Sequence, residues 1–140
     1  MESVRYRNER AVPEGLGIRI GVSACLLGRQ VRYDGGHKRD SFLVDVLGPQ
    51  VEWVPVCPEV ELGMGTPRPA VRLEDRGAAV ALVEPVSGDD HTGPMLRLAR
   101  QRVRGLRDTR LCGFVLKRGS PSCGGFITTP SPIRRPGCAI

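Results

Sequence analysis

The sequence predicts an α/β domain with an open, mainly parallel sheet, and three observations support this class. Short apolar segments that are typical of buried strands alternate with segments of helical periodicity. The order strand, helix, strand, helix, strand favours parallel central strands joined by crossover connections. A chain of 140 residues has the length of one domain. We therefore expect a single three-layer, Rossmann-like arrangement with its ligand site at the carboxyl ends of the strands.

Three apolar segments are predicted to form the parallel strands. Residues 18–27 (IRIGVSACLL) are interpreted as a buried strand that ends near Cys25, and residues 51–56 (VEWVPV) as a strand that runs into Cys57. The last strand covers residues 111–117 and leads directly into an SPSC segment. Each strand is thus followed closely by a cysteine.

Two helices and a hairpin complete the prediction. Asp40 or Ser41 caps a short apolar helix that ends at Gly48-Pro49. Residues 71–83 form either a hairpin around Asp75-Arg76-Gly77 or one strand with an irregular piece. The clearest helix begins near Thr92, and its predicted apolar face carries Met95, Leu98, Ala99, Val103 and Leu106.

The chain is divided by composition into three parts. Residues 1–17 are charged and without periodicity, so we predict a flexible leader; residues 18–127 form the α/β domain, and residues 128–140 an irregular tail. No apolar run reaches the eighteen or so residues that a membrane span needs, and the first residues lack the apolar core of a signal peptide. We therefore expect a cytoplasmic protein without a membrane partner.

The net charge of +6 comes from 21 cationic residues, all arginine except Lys38 and Lys117. Guanidinium groups bind phosphates in bidentate fashion, which favours anionic partners. Aromatic residues make up only 4% of the chain, which argues against binding of single strands by base stacking. The long helix carries an arginine stripe, which is either a solvated face or, where it adjoins the pocket, an RNA contact: Arg97, Arg100, Arg104 and Arg107.

The five cysteines divide into two groups. An odd count without a secretory signal argues against a disulfide framework. Cys25, Cys57 and Cys123 all lie at predicted carboxyl ends of strands, where three thiolates can hold a cubane iron–sulfur cluster and leave one iron open. Cys112 is interpreted as a small apolar core residue, and Cys138 as incidental to the tail. A non-catalytic metal or redox-sensing module remains the alternative.

Three blocks closely resemble the signature blocks of the thiouracil desulfidase family. They are SACLLGRQVRYDGGHK (23–38), VPVCPEVELGMGTPR (54–68) and LKRGSPSCG (116–124), and the resemblance runs from about Ile18 to Gly124. It implies an α/β fold and a [4Fe-4S] cluster with one iron not bound by protein. The implied ligands are Cys25, Cys57 and Cys123.

The resemblance also implies an activity, the hydrolytic removal of sulfur from thiolated uracils, with the open iron accepting the sulfur as hydrosulfide. Glu59 is the predicted general base and Glu61 a second choice; the alternative for Glu59 is a carboxylate that anchors its loop. Ser120 matches a family active-site serine, which would hydrogen-bond the pyrimidine or position the water. Ser122 is either substrate-binding or the cap of a turn.

Four further residues are predicted to bind substrate. Asp34, His37 and Lys38 lie near the first cysteine, and either Lys38 or Arg32 would face a phosphate. The alternative is an Asx turn at Asp34 with solvated neighbours. Arg68 would hold a ribose phosphate or fix its loop.

The sequence of the second block resembles that of longer family members, which carry a second domain after this one. Those members are linked to the removal of sulfur from 4-thiouridine in tRNA. Because residues after Gly124 do not resemble that continuation, we expect a small thiolated pyrimidine or nucleotide as substrate, and tRNA less readily. An inactive truncated copy and an RNA-binding remnant remain alternatives. The sequence gives no indication of oligomeric state.

Overall fold

A computed structural model describes residues 17–123 and the backbone of residues 127–128. The predicted leader and tail, with Cys138, therefore fall almost entirely outside the described residues. The described elements are β1 (Arg19–Ser23), a 3-10 turn (Ala24–Leu27), a π-type helix (Phe42–Leu47), a second 3-10 turn (Gly48–Gln50), β2 (Glu52–Val56), α1 (Pro58–Glu61), β3 (Arg72–Asp75), β4 (Val80–Val83), α2 (Thr92–Asp108), β5 (Gly113–Val115) and β6 (Ile127–Thr128).

A parallel three-stranded sheet with the order β2-β1-β5 confirms the predicted α/β class. In its register Ile20 lies opposite Trp53 on one side and Gly113 on the other. The strands are shorter than the apolar runs that predicted them. The first strand ends at Ser23, and the 3-10 turn follows it directly. Gly28 ends this turn with a φ of 89°. Such a positive φ is readily adopted by glycine, which has no Cβ.

The predicted hairpin is also confirmed, and it belongs to a second sheet with the order β4-β3-β6. Strands β3 and β4 pair antiparallel, with Asp75 opposite Val80. At the turn, the Gly77 N–H donates to Asp75 Oδ1 at 2.8 Å, which is the Asx-type bond that aspartate forms in turns.

The apolar core lies on the parallel sheet and under the π-type helix. Its buried members are Val22, Leu27, Leu43, Val51 and Trp53. The helix start follows the prediction, because Asp40 Oδ1 accepts a hydrogen bond from the Leu43 N–H at 3.1 Å. This bond satisfies one of the amides that a helix leaves free in its first turn, so Asp40 and not Ser41 is the capping residue.

Helix α2 is confirmed, but its inward face is rotated from the predicted one. Met95, Leu98 and Leu106 are half-buried, whereas Ala99 is exposed and Val103 is 64% exposed. Helix α2 packs against α1 and β4. Arg102 lies on the side of α2 that faces α1, where its Nε atom is 3.2 Å from Oε2 of Glu61. None of the described helices combines the length and apolarity needed to cross a bilayer.

The interpretation of Cys112 as a core residue was wrong. This residue precedes β5 and is exposed, and its backbone N–H donates to the Arg19 carbonyl at 2.8 Å. The strand begins two residues later than the apolar pattern suggested, so Cys112 precedes it and is exposed.

Candidate functional site

A cavity of about 150 Å³ lies beyond the carboxyl ends of the parallel strands, and Cys25, Cys57 and Cys123 all line it. Cys25 lies in the 3-10 turn that follows β1, and Cys57 lies between β2 and α1. Cys123 follows β5 after a loop. Because neighbouring parallel strands end at one sheet edge, residues far apart in the sequence meet there.

Hydrogen bonds to residues 28–38 hold the first two cysteines in place. The Cys25 carbonyl accepts from the N–H groups of Gly28 and Lys38, at 3.2 and 2.9 Å. This ties residues 31–38 to the end of β1. The Cys57 thiol donates to the Val31 carbonyl with the two heavy atoms 3.8 Å apart, so the same loop contacts the second cysteine.

The Cys25 and Cys57 thiols have raised pKa values and are harder to ionise than ordinary cysteines. Burial raises the pKa of Cys25, with a further increase from nearby Cys123. Burial also raises the pKa of Cys57 to about 11, and the Glu59 carboxylate adds to the increase. A metal that binds these sulfur atoms must therefore displace protons, since thiolates are the ligand form.

Glu59 is a buried carboxylate in this cavity, only 5% exposed. Its Oε2 atom lies 3.7 Å from Cys57 Sγ, and its Oε1 atom accepts a hydrogen bond from Ser122 Oγ at 2.8 Å. Ser122 Oγ lies 3.3 Å from Ser120 Oγ and 3.6 Å from Cys123 Sγ. Both serines and the carboxylate thus form one hydrogen-bonded chain between the loops of Cys57 and Cys123.

The two serines differ in their position relative to the cavity. Ser120 belongs to the cavity lining. Ser122 is not among the lining residues and donates its hydrogen bond to Glu59. Glu61, the second choice for the general base, is exposed on α1 and paired with Arg102. Of the two glutamates considered as general base, Glu59 lines the cavity and Glu61 does not.

Three cationic side chains line the same cavity: Arg32, Arg68 and Lys117. Arg68 Nη1 donates to the carbonyls of Val31 and Gly65, each at 2.9 Å, so part of this guanidinium holds two loops together. Lys117 was not among the predicted site residues, although it precedes the SPSC segment by only a few positions. This closeness in sequence to Cys123 was the signal that could have identified Lys117 as a site residue.

The other predicted substrate residues are not among those lining the cavity. Asp34 Oδ1 accepts from the Gly36 N–H at 2.9 Å, which is the Asx turn that the sequence left open, and this bond lowers the pKa of Asp34. His37 Nδ1 accepts from the Arg39 N–H at 3.1 Å. Lys38 contributes its backbone N–H to Cys25. Their geometry favours the structural alternative, and any contact with substrate stays a prediction.

Three cysteine thiols meet at the cavity, and thiolates are ligands of metal ions and of iron–sulfur clusters. Across residues 17–123, the one group of three metal-ligating side chains within 4.8 Å of one another is Glu84, Asp89 and His91, outside the cavity lining. The three cysteines line one cavity but are more widely spaced. A donor set of cysteine thiols is the one that iron–sulfur clusters use.

A cysteine-lined cavity with one buried carboxylate, at the carboxyl edge of a parallel sheet, defines an α/β protein with a candidate iron–sulfur site. The sequence model of the 2-thiouracil desulfurase family matches residues 20–128, which is most of the chain. The protein therefore belongs to the 2-thiouracil desulfurase family.

Two individual proteins are similar to this chain. The [4Fe-4S]-dependent thiouracil desulfidase TudS has a solved structure that superposes with a TM-score of 0.63 at 40% sequence identity, covering 77% of this chain and 69% of TudS. The uncharacterized protein YbbK of Bacillus subtilis (strain 168) is 33% identical over 114 residues, which cover 77% of this chain and 75% of YbbK. The fold and family expected from the sequence blocks are thus confirmed.

Proposed function

We propose that this protein is a [4Fe-4S]-dependent desulfidase that hydrolyses the thiocarbonyl of a thiolated uracil nucleotide to the oxo base and hydrogen sulfide. The observation that carries the proposal is the position of Glu59, a buried carboxylate in a cavity that three cysteines line. Membership of the 2-thiouracil desulfurase family and the similarity to TudS support the same chemistry.

Cys25, Cys57 and Cys123 would hold the cluster by three of its irons. When bound, the cluster would supply a Lewis-acidic iron with affinity for the soft sulfur of a thiocarbonyl. The net reaction is a hydrolysis: water provides the oxygen of the product and both hydrogens of hydrogen sulfide, and no electrons are exchanged.

Glu59 would act as the general base. One carboxylate oxygen is held by Ser122, and the other, Oε2, lies on the side of Cys57. We assign to Oε2 the proton of the attacking water, which it then returns to the departing sulfur. A non-catalytic metal sensor has no use for a buried carboxylate beside its thiols, since burial of a charged group costs free energy. Glu59 therefore supports catalysis over sensing.

The charges around the cavity favour a nucleotide as substrate. Among residues 17–123, Arg32, Arg68 and Lys117 line it together with a single carboxylate, Glu59. Guanidinium groups are suited to phosphate recognition, so a thiolated uridine monophosphate is the substrate class that we propose. The exposed arginine stripe of α2 is not part of the lining, which is why we propose a mononucleotide in preference to tRNA. A cytoplasmic location remains a prediction.

The test is desulfidation by anaerobically reconstituted protein. Wild-type protein would be incubated with 4-thiouridine monophosphate, 4-thiouridine or 2-thiouracil, and both the thiocarbonyl absorbance and released sulfide would be followed. Cys57→Ala removes a predicted ligand. Cys112→Ser is the matched control, because Cys112 is exposed and outside the cavity lining.

We expect sulfide release with wild type and Cys112→Ser, none with Cys57→Ala, and the highest kcat/KM with the monophosphate. An iron–sulfur cluster that assembles but converts none of the three compounds would contradict the desulfidase proposal. Equal kcat/KM for nucleoside and nucleotide would contradict the phosphate preference alone.

A further inference from the structure

The hydrogen-bonded chain Ser120–Ser122–Glu59 bears on substrate selection, an inference that rests on the proposed desulfidase function. Each serine hydroxyl has a single hydrogen to donate and two lone pairs that accept. A carboxylate accepts only. The direction of the hydrogen bonds in the chain is therefore determined at its buried end.

The Ser122 hydrogen points to Glu59. The Ser122 Oγ to Glu59 Oε1 distance is 2.8 Å, the shortest in the chain, and charge-assisted hydrogen bonds are the stronger ones. Ser122 therefore has no hydrogen left for its contact with Ser120, at 3.3 Å. In that contact Ser122 accepts, and Ser120 donates its own hydrogen away from the cavity.

We propose that Ser122 is a positioning residue that fixes this direction, so that Ser120 presents a lone pair, and not a hydrogen, to the substrate. A lone pair in the cavity accepts from a ring N–H. Uracils that carry sulfur at C4 or C2 have such an N–H at N3, directly beside the thiocarbonyl carbon. Thiolated cytosines have an unprotonated N3, which is an acceptor and would face the Ser120 lone pair without a bond.

Ser120 is then the group that selects thiolated uracils over thiolated cytosines, and Ser122 acts on substrate only through Ser120 and Glu59. This assignment differs from direct substrate binding by Ser122, because Ser122 is not in the cavity lining. Leaving a buried acceptor unpaired is costly, and sites built on such a bond discriminate strongly against the analogue that lacks the hydrogen.

The test compares N3–H with N3-methyl compounds in wild type, Ser122→Ala and Ser122→Thr. The dissociation constants of uridine monophosphate and 3-methyluridine monophosphate would be measured by calorimetry on cluster-loaded protein, and kcat and KM on the corresponding 4-thio compounds. Iron content and the cluster absorbance near 400 nm would be recorded for each variant. Ser122→Thr retains the hydroxyl, so it is the matched control for Ser122→Ala.

We expect wild type and Ser122→Thr to bind the N3–H compound at least tenfold more tightly than its N3-methyl analogue. In Ser122→Ala the Ser120 hydroxyl is free to rotate, so this ratio should fall severalfold while the cluster absorbance is retained. A methyl group that merely collides with the cavity wall would leave the ratio unchanged in Ser122→Ala, and that result would overturn the proposal.

Wild-type protein alone provides a second test that does not depend on folding of the variants. Equal binding and turnover of the N3–H and N3-methyl compounds would overturn the selection by Ser120 while leaving desulfidase activity intact. Absence of sulfide release from every compound would instead contradict the proposed function, so the two failures are distinguishable.

Discussion

The Ser23 hydroxyl accepts a hydrogen bond from the backbone N–H of Lys117 at 2.8 Å. The two residues are 94 positions apart, and both lie beyond Val22 and Val115, the last residue pair between β1 and β5. Ser23 is only 2% exposed. This bond joins the segment that carries Cys25 to the loop that leads to Cys123, so it contributes to the spacing of two of the predicted ligands.

Replacing Ser23 with alanine should leave the Lys117 N–H without its partner. The expected cost is about 1–3 kcal/mol in the free energy of unfolding, together with lower iron content after reconstitution. Urea denaturation and iron analysis would measure both. Ser41→Ala is the control, because Ser41 is exposed and makes no side-chain cap hydrogen bond, and its stability should be nearly unchanged. An equal loss in both variants would contradict the role of the Ser23 bond.

Replacing Glu59 with glutamine should abolish most of the activity while the cluster still assembles. The amide keeps the shape of the side chain but cannot accept a proton, and loss of a general base lowers kcat by roughly 10²- to 10⁴-fold. Sulfide release and cluster absorbance would be measured together. Glu61→Gln is the matched control on the same helix, since Glu61 is exposed, and its kcat should stay within about twofold of wild type. An active Glu59→Gln variant would exclude the base assignment.

Replacing Arg68 with alanine should affect both stability and substrate binding. The variant loses two hydrogen bonds to the carbonyls of Val31 and Gly65, with an expected cost of about 1–3 kcal/mol in the free energy of unfolding. It also removes a cation from the cavity, so KM for the thiolated monophosphate should rise more than KM for the nucleoside. Arg72→Ala, an exposed change on β3, should leave both KM values unaltered. A uniform rise in KM would point to a loop effect alone.

The raised pKa of Cys57 predicts a pH-dependent stability of the cluster-free protein. The folded state holds this proton until about pH 11, whereas the unfolded chain releases it near pH 9.0. The contribution is therefore complete below pH 9 and is lost as the pH rises towards 11, by about 1 kcal/mol once solvent screening of the half-exposed thiol is considered.

Urea denaturation of cluster-free wild type and Cys57→Ser at pH 8 and pH 10.5 measures this contribution. The serine hydroxyl does not titrate in this range, so the stability of wild type should fall relative to Cys57→Ser at the higher pH. Parallel pH dependences of the two proteins would show that Cys57 ionises equally in the folded and unfolded states.

The sequence alone determined the local features of this protein and its chemistry-bearing residues. Alternation of apolar runs and helical periodicity predicted the parallel strands, the hairpin and α2, because each pattern reflects burial within one element. Placing Cys25, Cys57 and Cys123 at strand ends predicted that they converge, because the parallel strands of a sheet end at the same edge. The motif blocks identified the family.

Which polar groups face each other depends on the tertiary fold. The inward face of α2 depends on its contact with α1. Arg102 pairs with Glu61 of α1, and Val103 is exposed. The bond between Ser122 and Glu59 joins residues 63 positions apart, and no periodicity within either segment reports such a contact. Local propensity reflects neighbours along the chain, whereas hydrogen-bond partners and side-chain burial depend on elements that folding brings together.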